Sequence, residues 1–61
     1  MIKCTKAIAD AINGTLASVN SVWTITKKYR SYNKVWYDIT NGEDRLNITE
    51  DIFNNNFKEV A

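Results

Sequence analysis

Hydrophobic residues in the first eighteen positions recur at a spacing that fits one face of a helix. The apolar positions i, i+3, i+4, i+7 and i+8 are Cys4, Ala7, Ile8, Ala11 and Ile12. This spacing is typical of a core-facing amphipathic helix and predicts one over about residues 3–18. The dipeptide Asn13-Gly14 is an alternative end, because Gly is common just past a helix C-terminus. Leu16 and Val19 continue the register, and Gly inside a helix costs only about 1 kcal/mol, so the longer helix is favoured.

From Val22 to Ile48 the pattern changes to β-branched and aromatic residues. Two turn signals interrupt it, one at residues 31–33 and one at Asn41-Gly42. Such runs between turn residues predict strands, here at about 22–30, 34–40 and 44–48.

The lengths of the two turns predict which side chains share a face of the sheet. A three-residue loop at 31–33 pairs Lys28 with Trp36, and a two-residue Asn41-Gly42 loop pairs Trp36 with Asn47. The Asn41-Gly42 loop also pairs Asp38 with Arg45 on this outer face. The opposite, apolar face then consists of Trp23, Ile25, Tyr29, Val35, Tyr37, Ile39, Leu46 and Ile48. Lys27 falls on the apolar face as its one misfit, with its aliphatic stem able to cover apolar surface.

After the strands, Thr49 is a suitable N-cap for a short helix at about 50–57, and Glu50 and Asp51 suit its positive terminus. The predicted fold class is therefore α+β. We expect an N-terminal amphipathic helix packed on a three-stranded antiparallel meander, followed by a short C-terminal helix, in a single domain over residues 1–61. A chain of this length buries only about 60% of its unfolded surface, so stability is expected to be marginal.

Composition argues against catalysis and against a metal or cofactor. The chain has one Cys and no His, which excludes an internal disulfide and a Cys/His zinc site and removes the commonest general base. Cys4 lies on the apolar stripe, where a buried structural thiol is expected, and there is no Gly-rich phosphate loop. We therefore expect a protein that is not an enzyme and needs no cofactor.

The same composition predicts a cytoplasmic protein with no membrane partner. The longest apolar runs are far shorter than the roughly 20 residues that span a bilayer. The N-terminus lacks the apolar segment of a signal peptide.

Charge is divided unevenly along the chain, although the overall net charge is only +1. Residues 1–37 hold six Lys/Arg and one Asp, whereas residues 38–61 hold two Lys/Arg and six Asp/Glu. The candidate partner-binding site is the outer face and tip of the predicted meander, formed by Lys28, Arg30, Tyr32, Lys34, Trp36, Arg45 and Asn47. Basic side chains neutralise phosphates, and an exposed aromatic ring stacks on a base or anchors a protein interface.

The predicted pairing of Asp38 with Arg45 makes this a mixed surface and favours a host or cognate protein as the partner. Direct nucleic-acid binding through the basic and aromatic hairpin is the first alternative. The second is a homodimer that pairs through the edge strands predicted at 22–30 and 44–48, because exposed edges invite such pairing.

Two resemblances to known families accompany these predictions. The order helix, three strands, helix resembles the double-stranded-RNA-binding domain. In that family the start of the second helix is basic, whereas here it is the acidic Thr49-Glu50-Asp51-Ile52, so the function of the family is not carried over. Residues 35–60, with Gly42, the strand at 46–48 and a closing apolar cluster, resemble the end of an SH3-like barrel in small bacteriophage accessory proteins. The closing cluster consists of Ile52, Phe53, Phe57 and Val60. The second resemblance implies a protein that inhibits or redirects a host nuclease, polymerase or defence complex.

Overall fold

The fold is a mostly β structure with one short helix. The computed structural model describes residues 1–12 and 14–60. Its strands are β1 (Ile2–Cys4), β2 (Ile8–Asp10), β3 (Gly14–Ala17), β4 (Val22–Ser31), β5 (Lys34–Thr40), β6 (Arg45–Thr49) and β7 (Phe57–Glu59), and its helix is α1 (Glu50–Asn56).

Five of the strands form one antiparallel sheet in the order β6-β5-β4-β1-β7, and β2 pairs with β3 in a separate hairpin. The meander β4-β5-β6 was expected, and its strands begin and end within one residue of the predicted ranges. β1 lies between β4 and β7, with Ile2 opposite Trp23 on one side and Cys4 opposite Phe57 on the other. The first and last strands of the chain are therefore paired at one edge of the sheet.

The core lies on one side of this sheet, which we call the inner face. The buried hydrophobic residues are Ile2, Cys4, Ala17, Trp23, Tyr37, Ile39, Ile48 and Phe57. The β2-β3 hairpin contributes Ala17 and the half-buried Ile8, and α1 contributes Phe53. The ring of Phe53 stacks on that of Tyr37 with 4.2 Å between centroids. The inner face is thus covered by one hairpin and one helix.

The predicted α+β fold class, with an N-terminal helix packed on the meander, is wrong, because the described part of this stretch contains the strands β1, β2 and β3 and no helix. Its supposed core stripe is largely exposed, with Ala7 and Ala11 at the surface and Ile12 90% exposed. Cys4 is buried on the inner face of β1, which has a neighbouring strand on each side, and its thiol donates a hydrogen bond to the Lys6 carbonyl at 3.0 Å. Of the predicted helix end at Asn13-Gly14, Gly14 is the first residue of β3, with φ +76°, and Asn13 lies outside the described residues. Without the helix, the resemblance to the double-stranded-RNA-binding domain also fails.

The first hairpin of the meander has a two-residue turn, where three residues were expected. Tyr32 and Asn33 have φ of 52° and 62°, and Ser31 pairs with Lys34. Two positive φ values in succession define the type I′ turn, whose twist matches that of the flanking strands. The extra residue of β4 lies instead in a bulge between Ile25 and Lys27. The pairing of Ile25 with Ile39, which a three-residue loop at 31–33 also implies, is therefore present, while every pairing nearer the tip is shifted by one residue.

The second hairpin has a longer connection than the expected two-residue turn. Asn41 Oδ1 accepts hydrogen bonds from the amides of Glu43 and Asp44, at 2.9 and 2.7 Å, which closes a four-residue loop. Thr40 consequently pairs with Arg45, and the register is displaced by two residues from the predicted one. Because side chains alternate with a period of two, the face of each residue on β5 and β6 is unchanged.

The side of the sheet away from the helix is not covered by another described element, and we call it the outer face. Strand pairing and alternation assign to it Lys3, Val22, Thr24, Lys27, Tyr29, Ser31, Lys34, Trp36, Asp38, Thr40, Arg45, Asn47, Thr49 and Lys58. Tyr29 was expected on the inner face and lies on the outer one, because the bulge reverses the faces of the residues between it and the turn. The short helix after β6 was expected, although Thr49 makes no side-chain cap hydrogen bond to it.

Candidate functional site

Two aromatic residues lie directly opposite each other on the outer face. Tyr29 of β4 pairs with Trp36 of β5, and both side chains are half-buried. The indole Nε1 of Trp36 donates a hydrogen bond of 3.1 Å to the Ser31 carbonyl, which ties the ring to the neighbouring strand. Aromatic cross-strand pairs stabilise a sheet, and this one also presents ring surface to solvent.

A side-chain network fixes the orientation of the Tyr29 ring. Asn47 Nδ2 donates to the Tyr29 hydroxyl at 2.8 Å and to Asp38 Oδ1 at 2.5 Å. Since Asn47 lies on β6, the tyrosine ring must extend across β5 to reach it. The hydroxyl accepts the bond from Asn47, so its own proton is available to an outside acceptor. The Lys27 amine lies 5.3 Å from the Tyr29 ring centroid, which adds a cation–π contact.

A shallow cleft of about 440 Å³ lies beside this network. Its polar lining comes from Thr26, Asp38, Thr40, Arg45 and Asn47. Thr26 is the bulged residue of β4, and its hydroxyl donates to the Asp38 carbonyl at 3.1 Å. The cleft therefore combines a carboxylate acceptor, an amide and a guanidinium next to an aromatic ring.

The charges of the molecule are strongly segregated with respect to the sheet. All fifteen charged side chains lie in the described ranges. The outer face holds five of the eight Lys/Arg and one of the seven Asp/Glu, a net charge of +4. The five cations are Lys3, Lys27, Lys34, Arg45 and Lys58, and the single carboxylate is Asp38. The remaining carboxylates lie in α1, in the loop before β6, on β2 and at Glu59, which faces away from the outer face.

Four of the seven predicted site residues are on the outer face, namely Lys34, Trp36, Arg45 and Asn47. Lys28 and Arg30 are on the other face, opposite Tyr37 and Val35, and the Lys28 amine lies 5.4 Å from the Tyr37 ring centroid. Tyr32 is at the apex of the hairpin and is 91% exposed. A second cleft, of about 320 Å³, lies beside this tip between Arg30, Lys34, Glu50 and Asp51.

The predicted row of Lys28, Trp36 and Asn47 is wrong, and so is the pairing of Asp38 with Arg45. Trp36 is flanked by Tyr29 and Thr49, and Asp38 by Lys27 and Asn47. Both errors follow from turn length: the first turn is one residue shorter than expected and the second is two residues longer. Arg45 lies opposite Thr40 and is not the cross-strand partner of the carboxylate.

Of the charged and aromatic residues on the outer face, sequence reasoning missed four: Lys3, Lys27, Tyr29 and Lys58. A signal existed for Lys27, which was the single misfit on the predicted apolar face. Lys3 and Lys58 are brought to the sheet by the pairing of β1 with β7, whose partners are more than fifty residues apart. No local pattern indicates that pairing.

No family model, curated protein or solved structure matches this chain, so its function has to be argued from the outer face itself. Among the described residues there is no helix with the length and hydropathy needed to cross a bilayer. The same ranges contain no cluster of three or more His, Cys, Asp or Glu side chains suited to a metal ion.

Proposed function

We propose that this protein binds single-stranded nucleic acid on the outer face of its five-stranded sheet. The observation that carries the proposal is the coincidence, on one uncovered face, of a net charge of +4 and the paired rings of Tyr29 and Trp36. Cationic side chains bind the phosphate backbone, and flat aromatic rings on a sheet stack on bases without regard to sequence. The proposal places the protein in the cytoplasm and assigns it no catalytic step.

A single strand fits this arrangement better than a duplex does. The rings of Tyr29 and Trp36 are tied to the sheet by hydrogen bonds to Asn47 and Ser31. Held in this way, they offer their surface to a base that is free to lie on the sheet. Bases in a duplex are stacked on one another and do not expose their faces. Splayed bases of a single strand can instead lie on the sheet while the phosphates contact the surrounding cations.

Asp38 is compatible with this function because of where the structure puts it. Its carboxylate accepts a bond from Asn47 and lines the cleft beside the tyrosine ring. A carboxylate in such a position accepts hydrogen bonds from the exocyclic amino group of a base, as acidic side chains do with cytosine. Asp38 then contacts a base edge, and Lys27 and Arg45 contact phosphate.

The protein-partner hypothesis favoured by the sequence depended on a mixed surface in which Arg45 neutralised Asp38. That pairing is absent from the observed register, in which Lys27 lies opposite Asp38, and the aromatic residues Tyr29 and Trp36 occupy the adjacent row of the face. The nucleic-acid alternative is therefore the one that the geometry supports better. A protein partner becomes one outcome of the experiment below.

Fluorescence anisotropy with a labelled mixed-sequence dodecamer, at 50 and 200 mM salt, tests the proposal. Neutralising three to five phosphates of a single strand predicts that affinity falls roughly 20- to 130-fold between these salt concentrations. Trp36→Ala removes one stacking ring, which is worth about 1–3 kcal/mol, so the affinity at fixed salt should fall roughly 5- to 150-fold. A duplex of the same sequence should bind more weakly than the single strand.

Two double variants on the same hairpin provide a matched comparison. Lys27→Glu with Lys34→Glu changes the outer face, and Lys28→Glu with Arg30→Glu makes the same change of charge on the opposite face. We expect the first pair to abolish the salt-dependent binding and the second to leave most of it. Equal losses would overturn the outer-face site in favour of insertion of the hairpin tip into a groove. If no oligonucleotide binds wild-type protein at 50 mM salt, the proposal is wrong and the protein-partner hypothesis is preferred.

A further inference from the structure

We propose that Lys3 and Lys58 form a phosphate-binding subsite at the far end of the outer face, so that a bound strand runs across the sheet from the aromatic pair to these two lysines. This inference rests on the proposed function and deepens it. It specifies a second anchoring point for the strand and a minimum length for the ligand.

The first support is the direct opposition of two like charges. Lys3 of β1 and Lys58 of β7 are Cα partners in the ladder, and their side chains leave the sheet on the same face. Like charges in directly opposite positions destabilise a strand pair. An anion bound between the two amines would remove that repulsion. The arrangement is therefore unfavourable in the free protein and favourable in a complex with phosphate.

The second support is the absence of a neutralising carboxylate on this part of the outer face. Glu59 is the nearest acidic residue in sequence, but it pairs with Ile2 and so leaves the strand on the other side. Asp38 is the one carboxylate that the described residues place on the outer face, and it lies on β5, with β4 between it and β1. Lys3 and Lys58 thus form a cationic site separate from the charges around the aromatic pair.

The distance between the two points gives the length of strand that can contact both. Lys3 pairs with Val22 and Trp36 pairs with Tyr29, and these two residues of β4 are seven positions apart. At about 3.3 Å per residue, the separation along the strands is roughly 23 Å. A single strand at the stacked spacing of about 3.4 Å per nucleotide needs about seven nucleotides to cover it. A trinucleotide reaches one point, and a dodecamer reaches both.

Lys58→Glu gives the inference a test in which stability and binding change in opposite directions. Replacing the Lys–Lys pair with a Lys–Glu pair should raise Tm by about 2–6 °C, measured by circular dichroism. The same variant should bind the labelled dodecamer about eightfold or more weakly at 50 mM salt, as expected for one lost phosphate contact. Its affinity for a trinucleotide, followed by quenching of tryptophan fluorescence, should stay within about twofold of the wild-type value.

Lys6→Glu is the matched control, because Lys6 is exposed and lies in the connection after β1, so the net charge changes equally without altering the face. It should leave the dodecamer affinity within about twofold. If Lys58→Glu and Lys6→Glu weaken dodecamer binding equally, or if the trinucleotide loses as much affinity as the dodecamer, the subsite is wrong while the aromatic site stands. If wild-type protein binds no dodecamer at all, both the subsite and the proposed function are overturned.

Discussion

The turn at the tip of the meander makes a sharp prediction about stability, because it places a tyrosine in a strained backbone conformation. Tyr32 has φ +52° and Asn33 has φ +62°. The left-handed region costs an ordinary L-residue about 1–2 kcal/mol, whereas Asn adopts it readily. The Tyr32 side chain is 91% exposed, so replacing it removes little buried area. We therefore expect Tyr32→Asn to stabilise the protein.

The magnitude follows from the backbone term alone. Recovering about half of the strain stabilises the fold by about 0.5–1 kcal/mol, which for a domain of this size raises Tm by about 2–8 °C. Tyr32→Ala is the control, since alanine removes the ring but keeps the unfavourable φ, and its effect should stay within about 0.5 kcal/mol. Urea unfolding followed by circular dichroism measures both variants against the wild type.

Two results would refute this reasoning. If Tyr32→Ala stabilises the protein as much as Tyr32→Asn does, removal of the exposed ring is the cause and the strained backbone is not. If Tyr32→Asn destabilises the protein by more than about 1 kcal/mol, the ring makes contacts that its exposure does not suggest.

Three further predictions concern the core, the thiol and the bulge. Trp23→Ala should lower the free energy of unfolding by about 3–5 kcal/mol, out of a total of about 3–9 kcal/mol for 61 residues, because this ring is only 1% exposed. Urea unfolding followed by circular dichroism measures the loss. Burial raises the pKa of the Cys4 thiol, so at alkaline pH the folded state retains a proton that the unfolded chain loses. The free energy of unfolding should therefore be highest below the ordinary thiol pKa and fall as pH rises past it. Urea unfolding between pH 7 and about 10 should show this decrease in the wild type and not in Cys4→Ala. Deletion of Thr26 should leave a cooperative thermal transition, because the strand pairing is regular on both sides of that residue. Deletion of Asn33 should abolish the transition, since one residue cannot close the turn. If the protein folds without Asn33 but not without Thr26, the observed register is contradicted.

The sequence was informative wherever local pattern and local pairing coincide. The strands at 22–31, 34–40 and 45–49 and the helix after them were predicted because neighbouring elements pair through short turns. Alternation also assigned Tyr37, Ile39 and Ile48 correctly to the buried face. This assignment is correct although the predicted second turn is two residues too short, because a shift of two residues leaves each side chain on the same face of the sheet.

The N-terminal third was mispredicted because its structure depends on distant partners. A helical period and a set of short strands both fit a stretch containing Cys4, Ile8 and Ile12. What decides between them is hydrogen bonding of β1 to β4 and β7, whose residues lie about 20 and 55 positions away. Secondary-structure propensity does not include such contacts, and tertiary pairing overrides it. The pairing of Lys3 with Lys58 at the end of the outer face could not be predicted for the same reason.

The composition of the candidate site depends on where one residue is inserted in β4. Placed in the turn, the extra residue puts Lys28 on the face of Trp36 and sends Tyr29 to the core. Placed at Thr26, it puts Lys27 and Tyr29 beside Trp36 and turns Lys28 away. Both arrangements keep Ile25 opposite Ile39, so the burial pattern below the bulge is the same and cannot discriminate between them. Bulges re-aim side chains in this way without disturbing the ladder beyond them. The face that carries the proposed function is therefore determined by backbone geometry at a single polar residue, and hydrophobic periodicity does not specify it.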